Sequence, residues 1–311
     1  MKRVTAFAPA TVANVNVGFD ILGFALEKVG DTVTLTALPE PGKIIIDNIE
    51  GINSSIPLDP EKNTASVALK SMLLQEKLPL GFRLSIKKGI PLSSGMGGSA
   101  ASAVAAVVAA NAFLPTPLPK NKLLSYALDG ESLSSGSRHA DNVAPCLYGG
   151  LTAVLGEQEI LSLPIPQGLY TLVIHPHYEV NTKESRAILA QTLSLKDHVL
   201  QSSYLTGFMT GLFKNDLALM SRSFKDIIIG PQRASLIPLL PQAQAKAQEL
   251  GALGIGIAGS GPSLFVWASS LKEAKKIEQA LLEIYQKAQL PADSWIGPIN
   301  QEGAKILDQT T

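Results

Sequence analysis

Residues 31–38, Asp-Thr-Val-Thr-Leu-Thr-Ala-Leu, alternate polar and apolar side chains and are rich in β-branched residues, the mark of a strand with one buried face. Residues 4–7 carry a shorter version of the same alternation. Residues 43–48 carry another, with Pro39, Pro41 and Gly42 marking the turn before it. In 81–87, Phe82, Leu84 and Ile86 fall on one face of a further strand. The period then lengthens. Residues 64–74 predict a helix with Asn63 or Thr64 as its N-cap, and the alanine-rich stretch from Ser99 to about Phe113 predicts a second, stopped by Pro115, Pro117 and Pro119. Residues 120–132 read as a third helix.

Residues 157–168 hold two prolines and two glutamates, which suggests a boundary between domains at 1–160 and 161–311. Beyond it, 169–174 read as a strand, 182–193, 196–210 and 216–224 as helices, and 254–257 and 264–268 as strands joined by a glycine-rich turn. Residues 271–288 form an amphipathic helical pattern. Strands and helices mix without strict alternation, so the fold class expected is α+β.

Composition narrows the function. Hydrophobic residues make up 46% and charged residues 17% of the 311, enough for packed cores and too apolar for a disordered chain. Lys plus Arg and Asp plus Glu each total 26, so no basic surplus draws the chain to nucleic acid or an anionic membrane. Phosphate, if handled, is handled locally. Cys146 is the only cysteine, which excludes an intramolecular disulfide and a cysteine zinc cluster and points to a reducing, cytoplasmic setting. Pro9 and Asn14 break the N-terminal run before a signal-like apolar region forms. The most apolar stretch, 100–114, is shorter than the ~18–20 residues of a bilayer span and reads as a buried helix.

The most informative segment is Pro91-Leu92-Ser93-Ser94-Gly95-Met96-Gly97-Gly98-Ser99-Ala100-Ala101, between a strand and a helix. Its glycines let backbone approach a ligand closely. The first amides of the following helix lack intrahelical partners, and the helix dipole adds partial positive charge there, making an anion site without Lys or Arg. Gly95, Gly97 and Ala100 also fit a dinucleotide fingerprint. However, residues 88–94 intervene after the strand, and Lys120 and Lys122 occupy the neighbourhood where that motif needs an acid. Small residues could alternatively serve only close helix packing. No P-loop of the G-x-x-x-x-G-K-[ST] type occurs.

This loop resembles the P-x-x-x-G-L-G-S-S-A-A motif of the GHMP small-molecule kinases. Pro9-Ala10-Thr11-Val12-Ala13-Asn14-Val15-Asn16-Val17-Gly18-Phe19-Asp20 and His139-Ala140-Asp141-Asn142-Val143-Ala144-Pro145 are similar to segments of the homoserine kinases in that family. Ala258-Gly259-Ser260-Gly261-Pro262-Ser263 resembles its third motif. The four run in family order along nearly the whole chain.

The resemblance implies a ribosomal-protein-like α/β N-terminal domain, a ferredoxin-like C-terminal domain, and an active site in the cleft between them. It implies ATP and magnesium, homoserine as substrate, and a homodimer. Asn63 would lie beside the adenine, the 91–101 loop would hold phosphate, and Ser99 and Glu131 would be the magnesium ligands. Asn14, Asp20, His139, Asp141, Arg186, Arg233 and Gly261 would form the amino-acid site. Asn142 stands where mevalonate kinases carry an Asp near the attacking hydroxyl, so no strong base is expected. Another small alcohol, such as mevalonate or a sugar, or a non-catalytic metabolite-binding role, are the alternatives. Gly98, Asn16, Val17 and Ala258 depart from the family pattern, and Asn16 is expected beside the substrate. Residue type alone raises two further candidates: His175 and His177 form an H-x-H pattern lacking a third metal ligand nearby, and His198 belongs to a helix surface.

Overall fold

A computed structural model describes residues 2–51, 56–136, 138–156 and 159–310. The first half runs through β1 (Arg3–Ala13), β2 (Leu22–Leu38), β3 (Ile44–Gly51), α1 (Thr64–Gln75), β4 (Gly81–Lys88), α2 (Gly98–Asn111), α3 (Lys120–Ser135), α4 (Ala140–Tyr148), β5 (Leu151–Leu155) and β6 (Glu159–Leu163). The second half continues with β7 (Tyr170–Pro176), α5 (Thr182–Ala187), α6 (Leu195–Lys214), α7 (Leu217–Ser223), α8 (Ile229–Arg233), α9 (Leu240–Glu249), β8 (Gly254–Ile257), β9 (Leu264–Ala268), α10 (Leu271–Lys287), β10 (Ala292–Gly297) and β11 (Lys305–Thr310).

Among the described residues the first sheet has the order β11-β1-β2-β4-β3, with β5 beside β2 and β6 beside β5. Its pairs are antiparallel except β3 with β4. Helix α2 packs on β1 and β2 and between α1, α3 and α4. It is buried on nearly every side, as the alanine-rich pattern implies: Ala100, Ala101, Ala103, Ala106 and Val107 expose nothing. Small side chains let all these neighbours close on one helix. The second sheet, β10-β7-β9-β8, is antiparallel throughout. With helices between β7 and β8 and between β9 and β10, it has the β-α-β-β-α-β pattern of a ferredoxin-like unit. Helix α10 covers it through buried Ala274, Ile277, Leu281 and Tyr285 at helical spacing. The α+β expectation and both half-folds hold.

An aromatic cluster joins the halves. Phe24 of β2 lies 5.6 Å, centroid to centroid, from both Phe265 and Trp267 of β9, and Phe208 and Phe224 pack on Trp267 from α6 and the end of α7. This apolar seam packs the second sheet against the first.

Several elements differ from the sequence pattern for identifiable reasons. The strand expected at 4–7 runs from Arg3 to Ala13 through Pro9, and a register shift at Pro9 to Thr11 absorbs the missing amide. Strand β2 begins nine residues before the expected Asp31, because residues 22–26 are buried on both faces and show no alternation. The helix expected at 182–193 stops at Ala187, and the Ala190 amide donates instead to Gln232 Oε1 at 2.7 Å. Glu157 and Gln158, at the start of the expected boundary segment, lie outside the described residues. Position 160/161 falls inside β6, and β11 returns to pair with β1, so the last strand of the chain completes the first sheet.

Candidate active site

Both halves line one cavity of about 340 Å³. Its floor is the glycine-rich loop. Pro91, Leu92, Ser93, Ser94, Gly95, Gly97, Gly98 and Ser99 all face it. Two glycines are required here. Gly95 has φ 78°, and a Cβ on it would come within 2.3 Å of the Ala258 carbonyl oxygen. Gly97 has φ 68°, and its Cβ would meet Thr11 Oγ1 at 2.2 Å. Gly98 is not required by space, since its Cβ would meet nothing nearer than 3.4 Å. Helix α2 opens after left-handed Gly97 with no side-chain cap. Its first-turn amides and its dipole therefore face the cavity, an arrangement that suits an anion. Met96, Ala100 and Ala101 do not reach the cavity; they are fully buried and hold the loop from beneath.

Under this helix end sits a group that sequence reading missed. Lys88 Nζ donates to Asp31 Oδ2, to the Gly98 carbonyl at 2.8 Å and to Ser102 Oγ at 2.9 Å. Ser102 donates to Asp31 Oδ2 at 2.7 Å, and Asp31 Oδ1 accepts from the amides of Gly89 and Ile90. An ammonium has three N–H groups, and all three are committed. Lys88 thus orients the first peptide of α2. Its partners come from β2 and α2, so no local motif announces it.

Opposite the loop are the residues expected for an amino acid. Arg186 donates to Asp20 from both terminal nitrogens, at 2.8 and 3.1 Å. Asn14 Oδ1 accepts the Asp20 amide at 3.0 Å and Asn14 Nδ2 donates to the Gly259 carbonyl at 2.9 Å, which holds Asp20 at φ 58°. Arg233, only 3% exposed, donates to the carbonyls of Ser185 and Gly259. Both guanidiniums lie about 5.3–5.4 Å from the Phe19 ring centroid. His139 Nδ1 is 3.8 Å from Asp20 Oδ2. Asp141 and Asn142, on the first turn of α4, complete this side, and Thr11 donates to Asn142 Oδ1 at 2.8 Å. Burial, then the negative charge of Asp20, pushes the Asp141 carboxyl up to about 7. Burial pushes His139 below its usual value. Arg233 is lowered by burial, then by Arg186.

Asn63 caps α1, accepting from the amides of Ala65 and Ser66, and also lines the cavity, so the cap leaves it facing the open space. Thr182 and Ser260, linked at 3.2 Å, also line it and were not anticipated. Gly261 does not line it: its Cα hydrogen side meets Ile237 and its backbone packs on Gly95. Asn16 does not line this cavity. It donates to the Phe224 carbonyl at 3.0 Å and lines an adjoining cavity of about 380 Å³ that shares Asn14, Arg233 and Gly259 with the first.

The model for the GHMP kinases N terminal domain matches residues 63–150 and that for GHMP kinases C terminal matches 208–287. A homoserine kinase of Xylella fastidiosa is 43% identical over 98% of this chain and 94% of its own. One of Chloroherpeton thalassium is 41% identical over 99% of this chain and 100% of its own. This chain belongs to the GHMP kinase family. The crystal structure of homoserine kinase from Cytophaga hutchinsonii superposes on this GHMP kinase with a TM-score of 0.95 at 41% identity, covering 98% of this chain and 97% of that one. A mevalonate kinase of L. major shares the fold at 16% identity, with a TM-score of 0.69.

Other sequence candidates fall elsewhere in this GHMP kinase. Among the described residues, no three His, Cys, Asp or Glu gather to hold a metal. His175 pairs with Ser263 and His177 with Asp293. His198 is exposed on α6. Cys146 is packed, its thiol 3.2 Å from the Pro9 carbonyl and pushed up by burial. No helix among the described residues is long and apolar enough to cross a membrane.

Proposed function

We propose that this GHMP kinase transfers the γ-phosphoryl group of ATP to the side-chain hydroxyl of L-homoserine, giving O-phospho-L-homoserine and ADP. One observation carries the reading: a single cavity has an uncapped helix N-terminus on one side and the Asp20, Asp141, Arg186 and Arg233 charges on the other. The first suits polyphosphate, and the second suits the ammonium and carboxylate of an amino acid. Relatives that match nearly the full chain are named homoserine kinases.

In this reading the 91–99 loop and the α2 amides hold the ATP phosphates, with Asn63 beside the base. Asp20 and Asp141 attract the ammonium, and the two arginines receive the carboxylate. Asn142, held by Thr11, orients the hydroxyl. The alcohol oxygen bonds to the γ-phosphorus as the bridge to the β-phosphate breaks, and the alcohol proton is released. Phosphoryl transfer depends mainly on position and charge, so a neutral amide suffices where a base could stand.

Ser99 and Glu131 would hold magnesium. The donor set fits, because a hydroxyl and a carboxylate on the same cavity wall are the oxygen ligands this ion prefers, and Glu131 is 8% exposed. When bound, the ion neutralises charge on the β- and γ-phosphates. A homodimer, drawn from the family resemblance, and a cytoplasmic location, drawn from the single cysteine, complete the proposal.

A coupled kinase assay with magnesium and ATP tests the reading against L-homoserine, mevalonate and galactose. Homoserine should lead in kcat/KM by at least about 10³-fold, as expected of a site whose buried polar groups are left unpaired by the wrong substrate. Comparable turnover of the other alcohols, or ATP binding with no transfer, overturns it.

A further inference from the structure

His175 belongs to the H-x-H pattern that raised a metal site, yet among the described residues no group of three metal ligands forms, and the proposed reaction makes no direct use of it. Its surroundings assign it another task. It sits near the end of β7, 5% exposed, with Nδ1 3.1 Å from Ser263 Oγ. Ser263 exposes nothing. Its amide donates to the Ser94 carbonyl of the glycine-rich loop at 3.2 Å, and its carbonyl accepts from the Ala258 amide at 2.9 Å. The turn so closed is the third motif, and the Gly261 amide donates to the Ala258 carbonyl at 2.8 Å within it. That Ala258 carbonyl is the atom a Cβ on Gly95 would strike at 2.3 Å, and a Cβ on Gly259 would come within 2.8 Å of the Gly95 carbonyl. The loop that faces phosphate is therefore backed on one side by a turn of the second half, with no slack between the two backbones. Ser263 joins them, and among the described residues its side chain pairs with His175.

We propose that His175 is a positioning residue for the phosphate-binding loop: through Ser263 it holds the 258–263 turn against Ser94 and Gly95, and so sets the shape of the loop that receives the triphosphate. This rests on the reading of that loop as the ATP phosphate site. Burial holds the imidazole neutral, its pKa pushed down to about 4, so the contact with Ser263 persists through the neutral range. His177, the other half of the pattern, is half-exposed and paired with Asp293 at 2.9 Å, outside this chain of contacts.

The test uses the full-length protein with His175→Leu, His175→Gln, Ser263→Ala and the His175→Leu/Ser263→Ala pair. Three quantities are followed: KM for ATP, KM for homoserine, and ADP affinity by calorimetry without the alcohol. Small displacements of positioning groups have large kinetic effects. His175→Leu and Ser263→Ala should each weaken ATP and ADP by about tenfold while moving the homoserine KM less than about twofold. Because they act as one unit, the pair should be no worse than the worse single change. His175→Gln, whose amide can bond Ser263, should recover most of the loss.

Unchanged nucleotide affinity in both single variants overturns the assignment, as do additive losses or equal shifts in both KM values. If His175→Leu fails to fold, Ser263→Ala removes one oxygen, leaves β7 intact, and decides alone. Wild-type protein that binds no nucleotide defeats the reading of the loop; normal binding in the variants defeats only the role of His175.

Discussion

Asp20 and Arg186, 166 residues apart in the chain, form a two-pronged ion pair across the cleft at 2.8 and 3.1 Å. Asp20 is therefore a partnered carboxylate, and the chain meets its substrate with the site's opposite charges already facing each other. A zwitterionic amino acid can replace both halves of the pair at once, its ammonium toward the carboxylate and its carboxylate toward the guanidinium. A neutral alcohol offers neither. Hydrogen bonds to charged groups contribute about 1.5–3 kcal/mol, so Asp20→Asn should raise the homoserine KM roughly 10- to 100-fold. The ATP KM should stay near the wild-type value. Equal changes in the two would show that the pair holds the halves together and does not select the substrate. Arg186→Lys should do little better than Arg186→Ala, because an ammonium cannot supply the paired fork.

The Lys88–Asp31 pair is 3% and 0% exposed, and each partner also bonds to Ser102 and to backbone groups. Removing one partner leaves the other charge buried, which costs about 3–5 kcal/mol. Lys88→Met and Asp31→Asn should each lower the denaturation midpoint in urea by an amount reflecting that loss. The double variant should lose less than the sum of the two, because no stranded charge remains. Additive losses would mean that the two side chains do not act as a pair.

The parts of the site that were legible in sequence are local. Residues from Pro91 to Ser99 are consecutive, so their glycines and the helix that follows announce an anion site without tertiary knowledge. Asn63 was equally legible, because an N-cap acts on the next three residues. What stayed hidden depends on pairing across the chain. Lys88 meets Asp31 from a different strand, β11 returns from the far end of the chain to β1, and residues 22–26 lose their alternation because both faces are covered. Asn16 follows Asn14 in the chain, but the tight turn at 14–16, with φ 71°, 42° and 59°, directs its amide to the Phe224 carbonyl, a partner 208 residues away that no local pattern reveals.

Ser99 and Glu131 give the magnesium assignment its own signature. Ser99→Ala and Glu131→Gln should each lower kcat by an amount equal to about 2–4 kcal/mol of transition-state stabilisation, the range for groups that act on developing charge. The magnesium concentration for half-maximal rate should rise in both, at saturating ATP. If kcat falls with no change in that concentration, the two residues serve the phosphates or the helix, and the ion is held elsewhere.

Asp141 gives the site a pH dependence of known sign. Its carboxyl stands at about 7 in the folded chain against 3.8 for an ordinary aspartate, because burial, then the negative charge of Asp20, disfavour ionisation; Arg186 opposes the shift and Glu131 adds to it. Between those values the folded chain keeps a proton that the unfolded chain has released. Stability from this group is therefore complete below about pH 4 and declines until the folded carboxyl has ionised near pH 7. Asp141→Asn should remove that decline, so the variant gains in melting temperature over wild type between pH 5 and pH 8, as roughly expected from linkage. Binding runs the other way. An ammonium prefers the ionised carboxylate, so wild-type kcat/KM for homoserine should fall as pH drops through about 7, while Asp141→Asn should be weaker throughout and lack that acid limb. Parallel melting curves for the two proteins across pH, with the acid limb intact in the variant, would assign the titration to another group.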